Sequence, residues 1–386
     1  MLTGAGAGPD PFYVPGDVYL MGGFSNGPFK GDPFGLAVIV HAVAGPFDLG
    51  YVVVQAGIQV HDDGSITTQS EPFPTILQGI PLQLRDIRIN VDRAHFMLNP
   101  TNCDQMSVNG TATSTEGSST VLSSRFQVGE CAALAFKPRF SASTQGNGTF
   151  NHNGASLNVK ITTRQGPHDP GTSGEANIRR VEVQLPKRLP ARLTTLQKAC
   201  TEAQFATNPA GCPAASDVGI AIAHTPILAS PLSGPAYLVS HGGQAFPDLV
   251  LILQGEGIVL HITGHTQIKH GITYSRFETV PDAPITTFEL NLPESPNSAL
   301  AATESLCSTT RTITVTKRVL VHHNGHTRRV TRSIQKQVTE PLAMPTTITA
   351  QNGMVLQQTT NIAVTGCAKA KPHRKTKPKH RRARGG

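Results

Sequence analysis

Short runs of β-branched and apolar residues alternate with Gly, Pro and polar turns along the whole chain. Gly35-Leu36-Ala37-Val38-Ile39-Val40 and Tyr51-Val52-Val53-Val54-Gln55-Ala56 have strand length and predict buried strands. Leu82–Val91 alternates apolar and polar from Leu82 to Leu84 and again from Ile87 to Val91, the pattern of a strand with one wet face. Asp62-Asp63-Gly64 is a hairpin turn signal. Similar elements return as Leu249–Leu253, Gly257–Ile262 and Thr287–Leu292. Ser156–Thr162, Arg180–Leu185 and Val218–Ala223 predict further strands, with a mobile loop at Gln165–Gly174. Arg192–Cys200 is the one good short-helix candidate.

These elements fall into a repeat. Tyr19-Leu20 recurs as Tyr237-Leu238, and the Pro74-Thr75 turn as Pro284-Ile285. Cys103 and Cys131 recur as Cys307 and Cys367, but the second pair encloses 32 extra residues, Thr309–Glu340. Deleting them puts Gly117 on Gly353 and Val128 on Val364. Residues 1–136 therefore read as a truncated first repeat, lacking the part that 137–233 supplies to the second copy. Strand count alone assigns 137–233 to a small immunoglobulin-like β subdomain. Residues 234–367 are the second copy, with a hairpin inserted at 309–340, and 368–386 form a basic tail. The expected fold class is all-β: tandem sandwich-like units stapled by disulfides, with a long basic hairpin and a disordered tail.

The insertion carries the clearest local signal. Two Thr/Val/Ile-rich arms flank Asn324-Gly325, the preferred pair for a two-residue turn. That turn pairs His323 with His326, Val319 with Val330, and Val315 with Ile334. Arms of about 12 residues extend roughly 40 Å. An isolated ribbon is marginal in water, so this one must lean on a partner or on the body.

Charge sharpens this picture. The ribbon holds Arg311, Lys317, Arg318, Arg328, Arg329, Arg332 and Lys336 with no acid between Arg311 and Val338. The tail holds Lys369, Lys371, Arg374, Lys375, Lys377, Lys379, Arg381, Arg382 and Arg384, again without acid. Removing these sixteen leaves 17 basic residues against 25 acidic ones, so the net +8 is +16 in two elements and −8 elsewhere. Such elements attract polyanions. Outside a cell, polyanions of this kind are anionic wall polymers, acidic polysaccharides and released nucleic acid. No aromatics interleave with the cations, which leaves base stacking unsupported. The absence of Trp weakens a carbohydrate-stacking platform in the same way.

Composition agrees with the strand pattern. The chain has 386 residues, enough for two or three cores, with 37 Gly and 29 Pro between short apolar runs. No apolar stretch approaches the roughly 18 residues of a membrane-spanning helix. Six cysteines without a CxxC argue for disulfides. The repeat register favours Cys103–Cys131, Cys200–Cys212 and Cys307–Cys367, since equivalent positions should pair equivalently. Such bonds persist outside a reducing cytoplasm. The start, Met1-Leu2-Thr3-Gly4-Ala5-Gly6, has no signal-peptide pattern, so the expectation is an export signal and further repeats upstream.

Three stretches are quite specific: Arg192-Leu193-Thr194-Thr195-Leu196-Gln197-Lys198-Ala199-Cys200, Gly234-Pro235-Ala236-Tyr237-Leu238-Val239-Ser240-His241-Gly242-Gly243, and Met344-Pro345-Thr346-Thr347-Ile348-Thr349-Ala350-Gln351-Asn352-Gly353. With Ile362-Ala363-Val364-Thr365-Gly366-Cys367 closing the unit, the chain resembles a family of secreted β-repeat proteins of high-GC Gram-positive (actinobacterial) bacteria. The resemblance covers most of the chain and implies export and β-rich repeats. The family has no established activity, so no catalytic residue carries over. The missing signal peptide departs from it.

Three constellations invite a chemical reading. Gly23-Phe24-Ser25-Asn26-Gly27 matches the G-x-S-x-G hydrolase pattern, but Pro28-Phe29-Lys30-Gly31-Asp32-Pro33 follows and cannot begin the helix the motif needs. A flexible loop is the expectation. His241-Gly242-Gly243, followed by Asp248 and Glu256, resembles an oxyanion loop with an acid/base pair, but a connecting turn between two strands is the expectation. His322, His323 and His326 cluster at the hairpin tip, where two imidazoles hold a metal only weakly among so many cations. The sequence thus points to no catalytic residues, cofactor or metal. It points to an exported cell-surface structural or adhesive protein held to an anionic wall polymer or acidic polysaccharide. The alternatives are an extracellular hydrolase or glycan-binding module, and a nucleic-acid-binding tail protein.

Overall fold

A computed structural model describes residues 1–6, 9–91, 93, 96–146, 154–165, 174–307, 310–323, 326–339 and 341–367. The protein is all-β. The first part of the chain forms β1 (Leu2–Ala5), β2 (Phe12–Gly22), β3 (Phe34–Ala44), β4 (Phe47–Val60), β5 (Ile66–Ser70), the short pair β6 (Ile76–Leu77) and β7 (Ile80–Pro81), and β8 (Leu84–Arg88). β1 to β5 and β8 make one sheet in the order β5-β4-β3-β2-β1-β8. β9 (Met106–Thr113) and β10 (Ser119–Phe126) follow as a separate hairpin.

The second part adds β11 (Arg139–Gln145), β12 (Leu157–Thr162), β13 (Ile178–Gln184), α1 (Leu193–Leu196), β14 (Cys200–Thr201), α2 (Glu202–Thr207) and β15 (Asp217–His224). The meander β16 (Leu232–Ser240), β17 (Asp248–Gly255), β18 (Ile258–Lys269) and β19 (Ile272–Phe277) leads to β20 (Thr287–Leu292). The ribbon β21 (Thr310–His323) and β22 (His326–Thr339) precedes β23 (Ala343–Ala350), β24 (Val355–Asn361) and β25 (Ala363–Thr365). These strands, apart from the ribbon, form one large sheet in the order β24-β23-β13-β19-β18-β17-β16-β15-β20-β12-β11-β25, with β14 paired to β16 off this path. Its two ends, β24 and β25, are consecutive in sequence and joined through buried Ile362, so the sheet curls back on itself. The main core fills the interior, with Leu189, Leu251, Leu253, Met344 and Ile348 almost fully buried.

Several expectations need adjustment. The predicted strands at 35–40 and 51–56 exist, but burial is one-sided: Val54 and Ala56 are buried while Tyr51 and Val53 are exposed. The strand expected over Leu82–Val91 narrows to β8, and Ile89 and Val91 lie exposed beyond its end. The helix expected over Arg192–Cys200 shortens to α1, and α2 was not foreseen. The strands of residues 137–233, expected to form an immunoglobulin-like subdomain, share one sheet with later strands. Strand pairing does not break at residue 233: β13 lies between β19 and β23, and β15 between β16 and β20. Long-range pairing of this kind leaves no local pattern to read.

All three disulfides join the cysteines that the repeat register paired: Cys103–Cys131, Cys200–Cys212 and Cys307–Cys367. The Asp62–Gly64 turn is also present, with Gly64 at φ 82° and Ser65 N donating to Asp63 Oδ1 at 2.8 Å. The two parts of the chain touch through Asp282. Its carboxylate accepts from Thr101 N at 2.8 Å, Thr101 Oγ1 at 2.7 Å, Asn102 N at 3.0 Å and Asn177 Nδ2 at 2.8 Å.

Candidate functional site

The ribbon β21–β22 is a two-stranded sheet of its own. The pairs are those a two-residue turn dictates: Val315 with Ile334, Lys317 with Arg332, Val319 with Val330, and His323 with His326. Residues 324 and 325 lie outside the described residues. Lys317, Arg318, Arg329, Arg332 and Lys336 are exposed. None of these five is in an ion pair with a described residue. Arg311 and Arg328 sit in the same strands, opposite Val338 and Val321. Like charges directly across a ladder oppose its formation, so the Lys317–Arg332 pair favours any anion that bridges it. The tail cations, Lys369 to Arg384, lie outside the described residues.

A second cluster surrounds Asp248, the first residue of β17. Asp248 is buried, with 2% of its side chain exposed. Its Oδ2 lies 2.9 Å from His265 Nδ1, on β18, and 3.6 Å from His241 Nε2, just past β16. Its Oδ1 accepts from Thr266 N at 3.3 Å. His241 Nδ1 in turn lies 3.2 Å from Glu202 Oε1, at the start of α2. The result is an alternating chain of carboxylate and imidazole: Glu202, His241, Asp248, His265. A buried carboxylate against imidazoles orients the rings, as in the supporting half of a general base. His241 Nε2 is buried and makes no hydrogen bond with a described residue. Sequence reasoning placed His241 and Asp248 together but added Glu256. The structure sends Glu256 to the far end of β17, where its Oε1 accepts from Ser230 N at 2.6 Å. Glu202 and His265 were missed, and nothing in their spacing from Asp248 advertises them. Among the described residues, no group of three or more His, Cys, Asp and Glu has a metal-holding arrangement.

Register shows what stands in these places in the first sheet. Leu20 pairs with Leu36 as Leu238 pairs with Leu249, and Leu36 pairs with Ala56 as Leu249 pairs with Gly264. Gly35 therefore corresponds to Asp248, and Gly57 to His265. A Cβ on Gly35 would meet the Phe24 ring, and one on Gly57 would meet Asp32 and Phe29. The loop between β2 and β3 fills the space that the histidine–carboxylate cluster takes in the second sheet. Ser25 belongs to that loop. The loop is closed by Phe24 N donating to Asp32 O and Gly31 N donating to Phe24 O, both at 3.0 Å, and turns rather than a helix follow Ser25. His322, His323 and His326 are placed by backbone register only.

Among known proteins, no family model matches the chain, and no curated protein matches it. Among solved structures, the chain has a weak likeness to the M60 catalytic domain with the CBM51-1 and CBM51-2 domains from Clostridium perfringens ZmpB. Identity is 11%, the match takes in 93% of this chain and 40% of that one, and the TM-score is 0.11. A likeness of that size carries no argument about fold or function.

Proposed function

We propose that this chain is an exported structural or adhesive protein of a cell surface, of the actinobacterial secreted β-repeat kind, retained by electrostatic attachment to an anionic wall polymer or acidic polysaccharide. The observation that carries this reading is the ribbon, a two-stranded sheet with Lys317 opposite Arg332 and, among the described residues, no carboxylate paired with either. Three disulfides support an oxidising compartment. The +16 of ribbon and tail against −8 elsewhere makes the attachment polar in the literal sense, with one end of the chain gripping and the body repelling the polymer.

The test is retention on isolated cell walls, on peptidoglycan stripped of its anionic polymers, and on DNA, each at two salt concentrations. Binding to intact walls should exceed binding to stripped peptidoglycan and fall with salt. For duplex DNA, six to ten phosphate contacts lose roughly 10³–10⁵ in affinity between about 50 and 200 mM salt, and a sparser polymer should show a shallower slope. Equal retention of the intact chain and a chain ending at Cys367 on all three materials would overturn the reading. Preference for DNA at matched charge would assign the cations to nucleic acid.

A second reading, an extracellular hydrolase, draws on the Glu202–His241–Asp248–His265 chain. It requires a hydrolytic rate on esters or glycosides that Asp248→Asn abolishes while the protein stays folded.

A further inference from the structure

The first sheet is built like part of the second. Strand order β5-β4-β3-β2-β1-β8 repeats as β19-β18-β17-β16-β15-β20. Register repeats too: Leu2 pairs with Pro15 and Arg88, and Ile222 with Ser233 and Glu289. The β9–β10 hairpin pairs Ser119 with Thr113, as β23–β24 pairs Val355 with Thr349. The surroundings differ. In the second sheet β12 covers the outer edge of β20, and β13 bridges β19 to β23. In the first sheet β5 and β8 are open edges, and β9–β10 pairs with no other strand among the described residues.

The same positions consequently change from core to surface. Leu290 and Leu292 are 7% and 5% exposed, whereas their counterparts Ile89 and Val91 are 49% and 44% exposed. Met344 is fully buried, and its counterpart Val108 is 65% exposed. The face of the first sheet carries an open apolar groove of about 270 Å³, lined by Val14, Val38, Val40 and Val54 and partly roofed by Phe73 and Ile80. In the second sheet Phe140, Leu157, Ile161, Ile178 and Val181, which belong to β11, β12 and β13, enter the matching interior and leave a smaller cavity of about 130 Å³. Open edges and a continuous apolar face are what proteins ordinarily cover.

We propose that the groove and the two open edges of the first sheet are a docking surface for a three-strand segment of the β11–β13 type, carried in the same polypeptide and running into β1. The second sheet shows the occupant directly, because there the covering strands lead through α1 and α2 into β15, the counterpart of β1. The segment would pair its second strand with β8 and its third with both β5 and β9, closing the first sheet as the second is closed. Main-chain pairing along an open edge gives the affinity, and alternate side chains entering the groove give the register. A second copy of this chain is a poor donor. Lending its own β11–β13 would uncover Leu290, Leu292 and Met344 in its second sheet.

The test is a longer chain with residues 137–221 duplicated ahead of Leu2, the counterpart of Ile222, compared with the parent by amide hydrogen exchange and by binding of a dye that reports exposed apolar surface. Exchange in β5, in 84–91 and in β9 should slow by about tenfold or more, the sign of local opening becoming costly, and dye binding should fall. A third chain, with Ile178→Asp and Val181→Asp at the duplicated positions only, should exchange like the parent. Unchanged exchange in β5 and β8 of the first duplicated chain, with its second sheet still protected, would overturn the proposal. So would protection of the same strands in the parent that grows with protein concentration alongside dimer in sedimentation, since it would assign the surface to a second copy.

Discussion

Lys317 lies directly across the ribbon from Arg332, cation against cation, in the middle of a two-stranded sheet that no third strand joins among the described residues. A cross-strand pair of this kind is destabilising by roughly 0.2–1 kcal/mol, and an opposite pair stabilises by a similar amount. Lys317→Glu should therefore raise hydrogen-exchange protection of amides 313–336 in the free protein. It should lower retention on anionic polymer at the same time. Adding a short polyanion should protect those amides in the natural chain and have little effect on the variant. Equal protection of both chains, with and without polyanion, would count against the ribbon as the gripping element.

The disulfides should differ in worth. On the chain-entropy account, opening Cys307–Cys367, with its separation of 60, costs about 4 kcal/mol, and opening Cys200–Cys212, with its separation of 12, costs about 3 kcal/mol. Paired Cys→Ser changes and thermal melts check the order. Peptide mapping without reductant should recover these pairs and no Cys131–Cys200 link.

Asp248 joins Thr266 N, His265 and His241 from a buried position. Asp248→Ala should lower stability by roughly 1–3 kcal/mol, the usual cost of removing a charged hydrogen-bond partner from buried groups. His241→Gly, which restores what Gly23 provides in the first sheet, should cost less, because its Nε2 makes no hydrogen bond with a described residue. Denaturant midpoints for the two variants decide this.

Acid should loosen the first sheet early. Arg88 Nε and Tyr13 Oη both donate to Asp86 Oδ2 at 2.8 Å, and these bonds, Arg88's first, hold the carboxyl below the ordinary 3.8. Gly4 permits the arrangement, since a Cβ there would stand 2.8 Å from the Tyr13 ring. A depressed carboxyl contributes stability that is complete above 3.8 and is lost as pH falls through its lower folded value. Asp86→Asn should therefore be less protected than the natural chain in β1 and β8 at about pH 6, and the difference should close towards about pH 2. A difference that does not change with pH would remove the carboxylate from the explanation.

The ribbon was legible because its register is set locally. The Asn324-Gly325 signal in the sequence implies every pair from His323–His326 back to Thr310–Thr339, and the strands pair in that register. The disulfides were legible because the repeat supplied a second copy of the same argument. α2 also has a signal in the sequence: Thr201-Glu202-Ala203-Gln204 matches the capping-box pattern, and Thr201 Oγ1 accepts from Gln204 N at 3.3 Å. The histidine–carboxylate chain was only half legible. His241 and Asp248 lie near each other in sequence, whereas His265 arrives by strand pairing and Glu202 by the packing of α2. Placement of β13 between β19 and β23 is likewise a property of the whole sheet, invisible in any window of sequence.

The Cys307–Cys367 bond has a mechanical meaning. Everything from β21 to β25 lies between those two cysteines. Tension applied beyond Cys367 crosses the sulfur bridge straight to Cys307 and never travels through the strands in between. Roughly 200 Å of contour length is thereby withheld from extension. A ribbon inside such a loop feels only the load attached to itself, so a chain hanging by its tail would keep its ribbon folded under strain.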